Sequence, residues 1–265
     1  MIKNLVNGCD IDPHIAEIYD QSETYSDDLG LIRKLIGDHN PWRILEPFCG
    51  TGRLLIPLTL ESHTFVGFDQ ARTMLERAQN KINQLPLQVQ KGIKLIKANV
   101  LATNWPQNFD LVILGGNCFY ELATLEEQEA CIRLAADALN PGGYMYIDND
   151  HMEGDLAETW QTIGRVRKSL SGICQDGTKV ESSMETVWVD VPRRLARFQR
   201  RVKLVFPDGN ILEKEVLQQK HPISAVEIRT CLQRSGFEVE QLFGDHTGSL
   251  YTDASLRAIF WARKC

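Results

Sequence analysis

Five apolar segments, Arg43–Glu46, His63–Phe68, Ile93–Lys97, Phe109–Leu114 and Tyr144–Asp148, alternate with helix-like stretches at Arg53–Glu61, Ala71–Leu85 and Leu125–Leu139. A strand that is apolar at successive positions must be covered on both faces, which parallel sheets achieve by packing helices on each side. The pattern therefore predicts an α/β fold with a helix-covered parallel sheet. Met74, Leu75, Ala78 and Ile82 recur at helical spacing and mark one buried face. Asn140-Pro141-Gly142-Gly143 supplies a helix stop before the fifth strand. A chain of 265 residues suits one elaborated domain, or a domain carrying one insertion.

After Asp150 the texture changes. Turn signals at Gln175-Asp176-Gly177 and Pro207-Asp208-Gly209 separate Thr178–Val191, Arg194–Phe206 and Ile211–Lys220, which read as antiparallel strands. Ser224–Ser235 reads as a helix, with Ser224 and Glu227 in a capping-box pattern. Phe237–Phe243 and Leu256–Ala262 are two further strands. The dozen or so residues between them lack a crossover helix, so the pair is expected to be antiparallel. At the other end, Ile15, Ile18 and Tyr19, then Leu29, Leu31, Ile32, Leu35 and Ile36, predict two amphipathic helices joined by the polar segment Tyr19–Asp28. Three regions follow: a helical lid over 1–40, a core over 41–150 and 222–265, and an inserted antiparallel sheet over 151–221 that covers substrate or faces a second copy.

Composition narrows the function. A net charge of −6 argues against a general nucleic-acid binder, which usually carries a basic surplus. Seven cysteines lie scattered without a Cys-x-x-Cys pair, which fits a reduced, cytoplasmic protein and suggests neither a disulfide framework nor a metal site. The N-terminal residues lack a signal-peptide pattern, and no apolar run approaches the ~20 residues of a membrane span.

The most specific local feature is Glu46-Pro47-Phe48-Cys49-Gly50-Thr51-Gly52, between the first strand and the first helix of the core. Gly50 and Gly52 permit a tight turn and close approach of a ligand to the backbone. The helix start beyond them offers unpaired N–H groups. Asp69 closes the second strand, where a carboxylate can accept hydrogen bonds from both hydroxyls of a ribose. The pair implies an adenosine-type cofactor. The third glycine of the dinucleotide fingerprint is missing, its place being taken by Leu55.

In these motifs the chain resembles the class I S-adenosylmethionine-dependent methyltransferases. Glu46–Gly52 matches their first motif and GFDQARTML, Gly67–Leu75, their second. KANVLA, Lys97–Ala102, matches the segment beside the adenine, and FDLVILGGNCFYEL, Phe109–Leu122, the fourth strand and its loop. LNPGGYMYID, Leu139–Asp148, matches the approach to the fifth strand, and SLRAIFWARK, Ser255–Lys264, the reversed seventh. The resemblance implies a Rossmann-like, doubly wound, mostly parallel seven-stranded sheet of order 3-2-1-4-5-7-6. It also implies S-adenosylmethionine as cofactor and S-adenosylhomocysteine as product. Gly50 and Gly52 would then border the methionine part, Asp69 the ribose, and Gln70, Met74, Asn99 and Val100 the adenine; Thr51 belongs to the same cofactor set, and Glu46 would orient the glycine turn or the amino group, or be a plain surface acid. Gly115, Asn117 and, from the lid, Tyr25 complete the expected cofactor set. Met74 and Val100 suit plain core equally well.

Phe48 stands where that family usually has glycine. The Pro47-Phe48 pair is reminiscent of DNA amino-methyltransferases. Their Asn/Asp-Pro-Pro-aromatic motif is replaced after the fourth strand by Gly115-Gly116-Asn117-Cys118-Phe119-Tyr120, which weakens a nucleic-acid reading.

The acceptor is expected outside the carboxyl ends of the strands. Candidates there are Phe119, Tyr120, Asn149, His151, His246 and Tyr251, with His151 or Tyr120 as a possible base. Arg200 falls on the apolar side of the strand containing Pro192–Lys203, where it can meet a buried carboxylate or an acidic substrate, or let its long stem snorkel to water. Arg197, Arg201 and Lys203 point the other way. The sequence thus predicts a methyltransferase acting on nitrogen or oxygen of a small molecule, with a homodimer conceivable. An RNA or DNA methyltransferase and a non-catalytic cofactor-binding protein are the alternatives.

Overall fold

The computed structural model describes residues 12–37 and 41–265; Cys9 and the first part of the expected lid lie outside them. Two short helices open the described chain, α1 (Pro13–Ser22) and α2 (Asp27–Ile36). The core follows as β1 (Arg43–Pro47), α3 (Leu55–Leu60), β2 (Thr64–Asp69), α4 (Arg72–Ile82), α5 (Leu87–Gln90), β3 (Ile93–Lys97) and β4 (Phe109–Leu114). A 3-10 turn (Cys118–Glu121) precedes α6 (Leu125–Ala138) and β5 (Leu139–Asp150). The insertion holds α7 (Glu158–Gln161), β6 (Arg167–Ile173), β7 (Lys179–Asp190), β8 (Leu195–Val205) and β9 (Ile211–Lys220). The chain ends with α8 (Ala225–Arg234), β10 (Phe237–Phe243) and β11 (Arg257–Lys264).

Seven strands form one sheet in the order β3-β2-β1-β4-β5-β11-β10. In core numbering this is 3-2-1-4-5-7-6, as the resemblance implied. The first five strands run parallel, and β11 is antiparallel to both β5 and β10. Alternate side chains divide the sheet between two apolar layers. Leu45, Phe68, Val112, Leu114, Met145 and Phe260 pack under α6 and α8 through Ile132, Ala135, Ile228 and Leu232. Ile44, Phe65, Leu111, Ile113, Tyr146 and Trp261 pack under α2, α3 and α4 through Leu31, Ile32, Leu55, Leu58 and Leu75. The expected lid is therefore divided: α2 is part of the core, and α1 with the connection to α2 lies over the carboxyl ends of the strands.

Two boundaries differ from the sequence reading. The helix stop at Asn140–Gly143 lies inside β5, which begins at Leu139 opposite Phe109 and resumes pairing at Tyr144 opposite Leu111, with a register irregularity between. The α1 helix runs on to Ser22 and α2 starts at Asp27, so the joining segment is shorter than the expected Tyr19–Asp28.

The insertion forms a four-stranded antiparallel sheet in the order β6-β7-β8-β9. The first of these strands had no clear alternation in the sequence. Alternating residues of β8, Ala196, Phe198, Val202 and Leu204, are buried on its inner face. Val202 and Leu204 share an apolar cluster with Ile18 of α1, so α1 stands between the two sheets. The capping box of α8 is formed: Ser224 Oγ accepts from the Glu227 amide at 3.2 Å, and Glu227 accepts from the Ser224 amide at 2.8 Å. Among the described residues, no helix is long and apolar enough to cross a membrane.

Candidate functional site

The glycine turn between β1 and α3 is built from left-handed backbone. Phe48, Gly50 and Gly52 have φ of 61°, 53° and 81°. Glycine adopts this region freely, whereas a bulky side chain is strained there, so Phe48 carries a conformational cost where the family has glycine. A Cβ placed on Gly50 would meet nothing within 4 Å, leaving open space above the turn.

Two carboxylates border that space. Asp69, at the end of β2, accepts from the Gly50 amide at 3.0 Å and from the Ala71 amide at 2.8 Å. It thereby fixes both the turn and the start of α4. Burial pushes its pKa up, and the amides of Ala71, Gly50 and Gln70 pull it back. With about four lone-pair positions and three amide donors, the carboxylate keeps room for a further donor. Glu46, at the end of β1, is 5% exposed, and its Oε2 has no partner. Burial raises its pKa to about 8, against the opposing pull of the Arg53 guanidinium. An orphaned carboxylate oxygen in a dry site suits a cationic donor brought by a ligand.

The N-terminal segment closes over this turn by charge. Asp20 of α1 accepts from Thr51 Oγ1 and pairs with Arg77 and Lys81 of α4. Arg53 forks onto the fully buried Asp28 at 2.9 and 2.6 Å, donates to the Tyr25 carbonyl at 3.2 Å and lies 4.2 Å over the Tyr25 ring. Thr51 thus serves the lid. Tyr19 shares an apolar cluster with Ala16, Ala71 and Met74, and burial raises its pKa to about 12. Gln70 follows Asp69 and is half-buried, while Met74 and Val100 are buried in core packing. Asn99 is exposed and accepts from the Leu101 amide at 2.9 Å.

Beyond β4, Gly115 abuts α3: an added Cβ would lie 2.7 Å from Leu54 Cδ1. Asn117 is spent on β5 and β11, donating to Asp150 at 3.1 Å and accepting from the Asp150 amide at 2.8 Å and Arg257 at 3.0 Å. Arg257 also pairs with the buried Asp148 at 2.6 Å, and His246 meets the same carboxylate at 2.9 Å. The His246 ring stacks 6.2 Å from Tyr25, so the last loop joins the lid. His151 Nδ1 meets the Tyr251 hydroxyl at 3.0 Å, and the two rings stack. Asn149 is fully buried and donates to Ile223 O at 3.3 Å, fastening β5 to the approach to α8. Phe119, expected to touch substrate, is fully buried in the core, because the 3-10 turn directs it inward and Tyr120 outward.

Tyr120 faces the inserted sheet. Its ring meets Trp160 edge-on at 5.8 Å, and Trp160 meets Phe198 edge-on at 5.1 Å. Lys220 Nζ lies 5.0 Å over the Tyr120 ring and pairs with Glu121. Gln218 also donates to Glu121, tying β9 to the 3-10 turn. Burial raises the Tyr120 pKa, and Asp150 and Glu121 raise it further, so its phenol stays protonated near neutrality. Neither Trp160 nor Phe198 is among the site residues the sequence suggests. Phe198 carried a signal in its inward alternation; Trp160, on a one-turn helix, carried none.

Among known proteins, residues 38–199 match the family model described as a methyltransferase domain. The chain is 24% identical to a cypemycin N-terminal methyltransferase from Streptomyces over 248 residues, 92% of this chain and 93% of that one. The fold is similar to the CcbJ methyltransferase from Streptomyces caelestis, with a TM-score of 0.71, 19% identity, and 95% and 96% of the two chains covered. It is also similar to CalS10, an amino pentose methyltransferase from Micromonospora echinaspora, with a TM-score of 0.65 and 20% identity over the whole of both chains.

Proposed function

The chain belongs to the methyltransferase-domain family, and from that premise we propose that it transfers a methyl group from S-adenosylmethionine to nitrogen or oxygen of a small molecule. The observation that carries the cofactor assignment is the unpartnered Glu46 Oε2 beside an open glycine turn. An α-ammonium placed there gives Glu46 the donor it lacks. Asp69, already holding the turn, has acceptor capacity left for a ribose hydroxyl. When bound, the cofactor supplies a methyl on a positively charged sulfur, which needs little further activation.

The protein's own contribution is then alignment and exclusion of water. Asp20 and Arg53 draw α1 and the Tyr25 segment over the turn. Tyr120, Trp160 and Phe198 offer aromatic walls to the acceptor. With its phenol protonated, Tyr120 orients an acceptor by donating a hydrogen bond and does not act as a base. His151, held by Tyr251, is the remaining candidate to take a proton from an ammonium acceptor. Two of the similar proteins are by name an N-terminal and an amino pentose methyltransferase, which favours an amine over a hydroxyl. A nucleic-acid acceptor is disfavoured, since outward cations of β8 are spent locally: Arg201 on Glu185 and Glu215, Arg197 on Gln219 and the Trp188 ring.

Calorimetric titration with S-adenosylmethionine and S-adenosylhomocysteine tests this reading. Micromolar or tighter binding of both is expected; folded protein that binds neither overturns it.

A further inference from the structure

The inner face of the inserted sheet carries two cations without an anion. Arg167 of β6 is in register with Met184 of β7, and Met184 with Arg200 of β8. Residues in register share a face, so the two arginines flank Met184 two strands apart, roughly 10 Å between backbones. Arg200 Nε is shut from solvent and has no hydrogen-bond partner. Among the described residues, no carboxylate pairs with either arginine. Arg167 makes only a long contact to Thr186 Oγ1 at 3.5 Å and lies 5.9 Å from the Phe198 ring centre.

Their place in the fold is beside Tyr120 and Trp160, where the acceptor is proposed to lie. Phe198 precedes Arg200 on the same face of β8 and packs on Trp160, which meets Tyr120. Val202 follows Arg200 on that face and packs with Ile18 of α1. Arg200 therefore faces the gap between the 3-10 turn after β4 and the helix that closes the cofactor turn. Nearby acids are already engaged: Glu121 with Lys220 and Gln218, Asp150 with Arg257 and Asn117, Glu185 with Arg201.

Arg200 is half-buried, its Nε enclosed and its guanidinium paired with no carboxylate, so an anion brought by a ligand would find an unpaired cation there. A planar fork at that position matches an oxyanion side-on. We propose that Arg200, assisted by Arg167, binds an oxyanion of the acceptor, so that the methylated molecule is a carboxylate or a phosphate rather than a neutral sugar or a simple amine. This rests on the methyl-transfer reading and names the substrate class of the same site.

The test uses the full chain, S-adenosylmethionine labelled in the methyl group, and a bacterial metabolite extract divided into three portions. One portion is untreated, one has its carboxylates capped as methylamides, and one is treated with phosphatase. Wild type is expected to label the untreated portion and to lose that labelling in one treated portion; loss on capping identifies a carboxylate, loss on phosphatase a phosphate. Arg200→Met should label the untreated portion about 10- to 100-fold more slowly, the loss expected for a hydrogen bond to a charged group. Arg200→Lys, which keeps the charge without the fork, should fall between. Both variants should bind S-adenosylhomocysteine as wild type does, which shows that they are folded. Labelling that survives both treatments, or an Arg200→Met rate equal to wild type, overturns the proposal while leaving methyl transfer intact. No labelling by wild type that still binds S-adenosylhomocysteine overturns methyl transfer and this proposal together.

Discussion

Cofactor binding near neutral pH should release a proton, and Glu46 should be its source. Its carboxyl is buried, one oxygen lacks a partner, and its pKa is raised to about 8. At pH 7 such a group is about 90% protonated in the free protein. An ammonium delivered to Oε2 favours the carboxylate, and a pKa driven well below 7 sheds about 0.9 proton per cofactor bound. Calorimetry at pH 7 in phosphate and in Tris, whose ionisation enthalpies differ, reads that number directly. Glu46→Gln should abolish the release and weaken binding about 10- to 100-fold, the cost of losing a charge-assisted hydrogen bond. The same group sets a stability trend in the free protein. Its folded pKa lies above the ordinary value of 4.5, so its favourable share is complete below pH 4.5 and is lost as pH rises through 8. The loss is of order 5 kcal/mol, and Glu46→Gln should flatten it. A wild-type binding enthalpy that is identical in the two buffers refutes the assignment of Oε2 to the ammonium.

Asp69→Ala removes the acceptor of the Gly50 and Ala71 amides as well as the proposed ribose contact, so calorimetry should show S-adenosylhomocysteine binding at least ~10-fold weaker. An unchanged dissociation constant would remove the acid from the site. Gly67→Ala places a Cβ 2.6 Å from Leu55 Cδ1 and 2.9 Å from Cys49 Sγ, so urea titration should show a loss of about 1–3 kcal/mol. Arg53→Met leaves the Asp28 carboxylate buried without its partner and should cost about 3–5 kcal/mol. Adding Asp28→Asn should restore much of that stability, and strictly additive losses in the same titration argue against the pair.

The cofactor half of the site was legible because it is written in short-range chemistry. The glycine turn, the acid closing β2 and the alternation of apolar strands all act within about thirty residues. The capping box at Ser224 and Glu227 was readable for the same reason. The loop paired the last two strands, but that the final one lies between its partner and β5 needed the family resemblance. Asn117, Asn149 and Thr51 show the limit of reading side chains by type. Each sits near the expected site, but Asn117 is held by Asp150 and Arg257, the Asn149 Nδ2 by Ile223 and the Thr51 hydroxyl by Asp20. The α2 helix shows another limit. Its amphipathic pattern was plain, but not that its apolar face would cover the parallel sheet.

The acceptor half was harder to read because no single segment contains it. Tyr120, Trp160, Arg167, Phe198 and Arg200 come from the loop after β4, a one-turn helix and two strands of a separate sheet. They meet because that sheet is held against the rest of the chain at several points, two of which lie beside these residues. Glu121 grips Lys220 and Gln218 at one, and Ile18 packs with Val202 at the other. The second point belongs to α1, the same helix whose Asp20 reaches Thr51 and α4. Closing α1 over the cofactor turn therefore also seats the sheet that carries Arg200. Binding of cofactor and acceptor should be coupled through this one helix, because whatever orders α1 for one ligand spares the other that cost. A substitution at Ile18 would then weaken both affinities, whereas one at Arg200 would weaken only the acceptor's.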